Sequence, residues 1–336
     1  METAKIKEGQ VKLLIPNPKK YALKANSPAF YNPAMITNRD VSVLIAKLTK
    51  RAKALDLLSA TGVRALRLAK EAGVKEVWAN DAKKSAFELI EKNIKLNKLK
   101  IRASNMYADK LLSKSHDFDY IDVDPFGTPA PFVEDSIKKL SSDGILAVTA
   151  TDTAVLCGSA PFKCCIERYG GKPIRNHLMH EVGLRILMAY VIKTGQKYKV
   201  NLAPIFSNST RHYMRIYFRR TKLNEGKWIG LWNGSGPMWL GDLWDEKLAN
   251  DMHLAAVKNK EISSPARDLL FTIKEESKIH EIGFTDIASF HPKTFPKIND
   301  VIAKLHAKGF NAARTHFNPT GIRTNAPDNI IKKLVT

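Results

Sequence analysis

Tyr120-Ile-Asp-Val-Asp-Pro-Phe-Gly-Thr-Pro129 ends an apolar run on a carboxylate, a proline, an aromatic ring and a glycine. A strand buried on both faces reads as such an apolar run, and a carboxylate at its C-terminal end stands where open α/β sheets bind ligands. From there Asp124 can accept a hydrogen bond from an exocyclic NH2, the carbonyls near Pro125 can accept a second, and Phe126 can lie against a flat ring. Asp-Pro also favours turn initiation, so the motif alone leaves a plain strand-to-turn boundary open.

The upstream pattern adds to it. Ala54-Leu-Asp-Leu-Leu58 is a short apolar run, Ser59-Ala-Thr-Gly-Val-Arg64 a turn, and Ala65-Leu-Arg-Leu-Ala69 a stretch of helical spacing. The turn has one glycine where a dinucleotide fingerprint has three, which disfavours pyrophosphate binding. Glu76-Val-Trp-Ala-Asn-Asp81 is the next strand, and Asp81 lies about twenty residues past the turn, the geometry for a carboxylate gripping a ribose hydroxyl pair. A ribose without a pyrophosphate suggests S-adenosylmethionine. A third strand is expected to end near Met106-Tyr-Ala-Asp109, with the Asp-Pro-Phe strand fourth. Gly144-Ile-Leu-Ala-Val-Thr-Ala150, Lys199-Val-Asn-Leu-Ala-Pro-Ile-Phe206 and Tyr213-Met-Arg-Ile-Tyr-Phe218 continue the series, with a helix over His180–Tyr190 between the first two of these. The expected fold is α/β: a Rossmann-like, S-adenosylmethionine-dependent methyltransferase domain over residues 1–244, and a smaller α+β domain over 245–336.

In that second region Arg267–Lys274, Gly283–Ala288 and Phe295–His306 read as three helices. Asn311–Phe317 reads as a strand and Asn318-Pro-Thr-Gly321 as a tight turn, which together make the winged-helix order. Lys293, Lys297, Lys304 and Lys308 set cations along the third helix, where they face nucleic acid in such folds or form a solvated surface. Arg314 and His316 alternate with apolar neighbours, so they share one side of a strand and either hold a phosphate or pack an interface. Residues 224–241, rich in Gly and Trp, read as an irregular return onto the first domain.

Ser27-Pro-Ala-Phe-Tyr-Asn-Pro33, Asn38-Arg-Asp40, Leu58-Ser-Ala-Thr-Gly62, Asp124-Pro-Phe-Gly127, Val148-Thr-Ala-Thr-Asp152, Leu156-Cys-Gly158, His180-Glu-Val-Gly183, Gly236-Pro-Met-Trp-Leu-Gly241 and Arg314-Thr-His-Phe-Asn-Pro-Thr-Gly321 stand in one order. Together they resemble the archaeal-type tRNA guanine-26 N2-dimethyltransferases, over about residues 27–327. The resemblance implies methyl transfer from S-adenosylmethionine to N2 of one tRNA guanine. It implies Asp124, Pro125 and Phe126 as the catalytic motif, and Phe30 and Phe126 as a sandwich around the flipped-out guanine. Arg39 and Arg64 would meet the carboxylate region of the cofactor, Asp81 the ribose and Ala108 with its neighbours the adenine edge; Ser59 would also bind the cofactor, and Gly62 would let the backbone approach its methionine moiety. Tyr107 stands where the family has an acid, and nothing here matches the cysteine-rich zinc insertion of its larger members. An amino-methyltransferase of the same fold acting on another base or amide is a second reading. A non-catalytic tRNA-binding protein is a third, and the intact Asp81 and Asp124 argue against it.

Composition agrees with a polyanionic partner: 54 Lys+Arg against 33 Asp+Glu leave a formal charge of +21, which favours RNA through counterion release. Cys157, Cys164 and Cys165 leave one thiol unpaired under any disulfide scheme, and without paired Cys-x-x-Cys motifs no structural zinc is expected. With no apolar leader at Met1–Lys7 and no run of membrane-spanning length, a cytoplasmic enzyme with reduced thiols is expected. Cys157 reads as packing rather than as a nucleophile, because methylating an exocyclic amine needs no covalent step. His180 and Glu181, at a helix start, read first as structural hydrogen bonders. Oligomeric state is not legible.

Overall fold

The structure, a computed structural model, describes residues 1–21, 27–210 and 212–335. A hairpin of β1 (Thr3–Glu8) and β2 (Val11–Pro16) opens the chain. Its alternating Val11, Leu13 and Ile15 are buried in a small core with Val63 and Leu66.

Strand and helix then alternate: α1 (Ile36–Leu48), β3 (Lys53–Asp56), α2 (Val63–Glu71), β4 (Glu76–Asn80), α3 (Lys84–Asn97), β5 (Arg102–Ser104), α4 (Ala108–Lys114), β6 (Phe118–Val123), α5 (Ala130–Lys138) and β7 (Leu140–Ala150). Short α6 (Thr153–Leu156) and α7 (Phe162–Tyr169) lead to the long α8 (Met179–Lys197), and β8 (Asn201–Ser209) and β9 (Met214–Thr221) complete the sheet. The strand order is β5-β4-β3-β6-β7-β9-β8. The pairs from β5 to β7 are parallel, and β9 runs antiparallel to both neighbours. The apolar strands are buried because helices cover the sheet; Leu55, Ile121, Val123, Leu146 and Val148 are fully enclosed.

The third strand ends earlier than its sequence suggests. The side chain of Asn80 accepts hydrogen bonds from Ser104 Oγ at 2.7 Å and from the Met106 N–H at 3.2 Å. These draw the chain out of the sheet after Ser104, so Ala108 opens α4 instead of closing β5. Residues 224–241 are more regular than expected: a 3-10 turn precedes a hairpin of β10 (Ile229–Trp232) and β11 (Ser235–Trp239).

After Asp245 come α9 (Glu246–Lys258), α10 (Ser264–Glu276), β12 (Thr285–Asp286), α11 (Ile298–Ala307), β13 (Ala312–Arg314), β14 (Gly321–Thr324) and α12 (Asp328–Val335). Both α9 and α10 pack on α1 and contribute Ala249, Met252, Leu270 and Ile273 to the main core. A separate core holds Ile287, Val301, Leu305, Ile322 and Ile331. The helix expected at Gly283–Ala288 is instead strand β12 followed by a 3-10 turn over Ile287–Phe290, because Thr285 and Asp286 pair with Ile322 and Gly321. The turn over 318–321 does connect two antiparallel strands, and β12 joins them in the order β12-β14-β13. Of the four lysines, Lys304 lies within α11, Lys297 and Lys308 cap its ends, and Lys293 precedes it; all are exposed.

Candidate functional site

The sheet changes direction of progression between β3 and β6, and at such a switch point the loops diverge and leave a crevice outside the C-terminal strand ends. A cavity of about 660 Å³ opens there, lined among others by Phe30, Arg39, Asp56, Ser59, Arg64, Asp81, Asp124, Pro125, Phe126, Thr151 and His212.

One wall is the turn from β3 into α2. Gly62 has φ +77° and Ala60 φ +50°, and the turn closes with the Gly62 N–H donating to Ser59 O at 2.7 Å. Asp81 at the end of β4 accepts the Ala60 N–H and the Lys83 N–H, each at 2.9 Å, which aims its carboxylate at the turn. Burial raises its pKa, opposed by those two backbone donors. Ser59 lines the cavity, whereas Gly62 and Ala108 do not. A Cβ on Gly62 would lie 3.3 Å from Ile90 of α3, so this glycine serves a left-handed turn and close helix packing. Tyr107 caps α4 with its ring 74% exposed.

The opposite wall is the end of β6. Asp124 is ion-paired with Arg64, which also donates to Asn38 Oδ1 at 2.8 Å and Ser42 Oγ at 2.5 Å and stands 3.3 Å from Asp122. The Phe126 ring is 53% exposed and meets Phe30 edge to face, centroids 4.6 Å apart. The two rings expected to sandwich a base are therefore neighbours at the cavity mouth, in the T-shaped contact that ring quadrupoles favour. A stacked base requires them to part.

Arg39 is committed elsewhere than expected. Glu8 of β1 takes its guanidinium in two contacts of 2.6 Å. Glu8 also accepts from Tyr31 at 2.9 Å and from the fully buried Arg67 at 3.1 Å, and Arg67 pairs in turn with Asp40 and Glu71. The N-terminal hairpin, α1 and α2 are thus clamped through one network, and Arg39 reaches the cavity as part of that clamp.

Beneath the cavity floor Arg215 of β9 pairs with Asp122 at 2.5 Å and 3.0 Å, and the Tyr120 hydroxyl donates to Asp122 at 2.9 Å. Burial pushes Asp122 up, but Arg215 and Arg64 outweigh it and hold the carboxyl below its usual range. Asp56, at the end of β3, forms no such ion pair among the described residues: burial pushes its pKa up to about 7, with Arg64 opposing and Asp122 adding to the rise. Its Oδ2 finds no hydrogen-bond partner among the described residues. The only local signal for Asp56 was an acid set inside an apolar run. His212 gave none, because it lies in a turn far along the chain from the site motifs.

The other sequence candidates lie away from this cavity. Cys157 Sγ is 3.4 Å from His180 Nδ1, but burial pushes the thiol up to about 12 and the imidazole down, so neither partner is activated. Glu181 is buried against Arg323 at 2.7 Å and Arg185 at 2.9 Å. Arg314 and His316 do not share a role. Arg314 is exposed and bonded to Asn299 at 2.8 Å, while His316 is buried, 2.7 Å from Glu276, with its Nε2 accepting the Ser209 N–H at 3.3 Å. Among the described residues no group of three or more His, Cys, Asp or Glu could hold a metal ion, and no helix is long and apolar enough to cross a membrane.

Comparison with known proteins agrees with this geometry. A relative from Aquifex aeolicus, named tRNA (guanine(26)-N(2)/guanine(27)-N(2))-dimethyltransferase, is 35% identical over 98% of this chain and 95% of its own length. One from Pyrococcus furiosus, named tRNA (guanine(26)-N(2))-dimethyltransferase, is 35% identical over 97% of each. A structure of Trm1 from Pyrococcus horikoshii in complex with S-adenosyl-L-methionine superposes with a TM-score of 0.88 at 32% identity, covering 99% of this chain and 100% of that one. The family model described as N2,N2-dimethylguanosine tRNA methyltransferase matches residues 9–228 and 229–336. The chain belongs to the N2,N2-dimethylguanosine tRNA methyltransferase family.

Proposed function

We infer that this protein transfers methyl groups from S-adenosylmethionine to the exocyclic N2 of guanine 26 in tRNA, giving N2-methyl- and then N2,N2-dimethylguanine. The observation that carries the reading is a single cavity with the Asp81-braced turn on one wall and Asp124-Pro-Phe126 on the other. The donor set fits the cofactor: a half-buried carboxylate for a ribose, a turn whose Ser59, Ala60 and Thr61 line the cavity, and a volume within the range of small-molecule sites.

S-adenosylmethionine, when bound, supplies an electrophilic methyl on a sulfonium. The chain's own residues do the rest. Asp81 and Ser59 hold the cofactor, with Arg64 facing its carboxylate end. Phe30 and Phe126 hold the guanine after it leaves the RNA stack. N2 is a poor nucleophile because its lone pair is conjugated into the ring. Asp124 accepts a hydrogen bond from the amine and localises that lone pair, and orientation lowers much of the barrier. Arg64, anchored by Asn38 and Ser42, fixes the Asp124 carboxylate.

For the RNA, we assign the surface of residues 245–336 as the tRNA-binding region, its outer part being the separate core from Ile287 onward with exposed Lys293, Lys297, Lys304 and Lys308. The deciding experiment is labelled cofactor with an unmodified tRNA transcript, followed by nucleoside analysis. Label in N2,N2-dimethylguanosine is expected. Label in another nucleoside, or none in the presence of bound cofactor, overturns the reading.

A further inference from the structure

Two methyl transfers to one nitrogen require that nitrogen to shed two protons, and the residues described so far place the methyl but do not remove the proton. One Asp124 oxygen is committed to Arg64. A proton resting on that carboxylate leaves a buried guanidinium facing a neutral acid, a costly state to hold through a second round.

Strand topology brings another group to the same spot. β9 begins at Met214 opposite Ala150, the last residue of β7, so the turn before β9 comes up at the C-terminal edge of the sheet. His212 of that turn lines the cavity together with Asp124, Phe126 and Thr151, and it is exposed to solvent. The described residues beside it are held: the Thr210 N–H donates to Tyr213 O at 2.9 Å, the His212 N–H to Thr210 Oγ1 at 3.3 Å, and the Ser209 N–H to the buried His316 side chain at 3.3 Å. Imidazole is the side chain suited to trading protons with water near neutrality.

We propose that His212 takes the proton released by the guanine amine, from N2 or by way of Asp124, and hands it to water. In each round the S–CH3 bond breaks with its electron pair left on sulfur and the N2–CH3 bond forms. The N2–H proton then passes to the imidazole and on to solvent, leaving a thioether, a methylated amine and one released proton. The charged groups that share the cavity with His212 are Arg39, Asp56, Arg64, Asp81, Lys83 and Asp124; Arg211, its chain neighbour, lies outside the described residues.

This rests on the reading of N2 methyl transfer, so the test is run beside an active wild type. With enzyme in excess over tRNA and cofactor saturating, the rates of the first and second methyl transfers are measured for wild type, H212A and H212Q, with products resolved as mono- and dimethylguanosine. H212A is expected to be slower by about 10²-fold, the lower end of the effect of a positioned acid or base, and to stall at the monomethyl product. Added imidazole should restore its rate, with substituted imidazoles restoring it in the order of their basicity, while H212Q stays slow. A cofactor affinity unchanged by calorimetry shows that H212A is folded. Wild-type rates in H212A, or a slow H212A that no imidazole accelerates, overturn the proposal while leaving the methyl transfer itself intact. A wild type that forms no methylated guanine overturns both.

Discussion

Besides the Glu8–Arg67 clamp, two clusters of buried charge hold this molecule together, and these two differ in one respect. Between α8 and the C-terminal module, Glu181 and Glu276 face Arg185 and Arg323, with His316 bonded to Glu276, so acids and arginines balance. Burial would push Glu181 up, but Arg323 and Arg185 outweigh it and hold its carboxyl down at about 2. At the cavity floor, Asp56, Asp122 and Asp124 face Arg64 and Arg215 as their arginines among the described residues, and the surplus acid, Asp56, is pushed up to about 7 by burial. A balanced cluster can be closed and left as a lock. In this unbalanced one Asp56 is left to change its charge, and it lines the cavity.

The largest way to break that contrast is at Asp124. Asp124→Ala should slow methyl transfer by about 10²–10⁴ while tRNA affinity stays within a few fold, because the basic surface is untouched. Single-turnover assays at saturating tRNA decide it, and a folded variant near the wild-type rate removes Asp124 from the mechanism. Asp124→Asn, which keeps one acceptor oxygen, should fall between.

Removing one partner from the balanced lock should act on stability instead. Arg323→Met leaves Glu181 and Glu276 short of a buried partner and should cost about 3–5 kcal/mol in urea unfolding. Loss of activity without loss of stability would show that the lock also serves the site.

Asp56 sharpens the comparison through pH. Its folded pKa lies above the value of an unfolded aspartate, so the protonated form stabilises the fold. That contribution is complete below about pH 4, declines as pH rises and is gone above about 7. Asp56→Asn should remove this slope and make the variant more stable than wild type at pH 8, by about 1–3 kcal/mol. Parallel curves of stability against pH for the two proteins would show that Asp56 does not titrate in this window. The smallest effect is on the cofactor wall: Asp81→Ala should weaken S-adenosylmethionine binding by about 1–3 kcal/mol by calorimetry, the scale of a hydrogen bond to a charged group. Unchanged affinity in a folded variant would reassign Asp81 to bracing the turn at Ala60.

The amino-acid sequence by itself determined the α/β alternation and both cavity walls, because strand periodicity and strand-end acids are local signals. Asp81 follows its turn by a set spacing, and Asp124 ends an apolar run; each lines the cavity as that pattern requires. Residues whose role depends on a partner far along the chain could not be read. Arg39 is drawn to Glu8 from a hairpin that carries no motif, His316 to Glu276, and Asp56 owes its raised pKa first to burial in the assembled sheet, with Asp122 on the neighbouring strand adding to the rise. The end of β5 departs from its local pattern for a similar reason, since Asn80, on a different strand, pulls Met106 out of the sheet. His212 reaches the cavity only because β9 runs antiparallel to β7. Charge compensation and strand direction are properties of the assembled sheet, and they decide which of the polar residues become locks and which are left free to react.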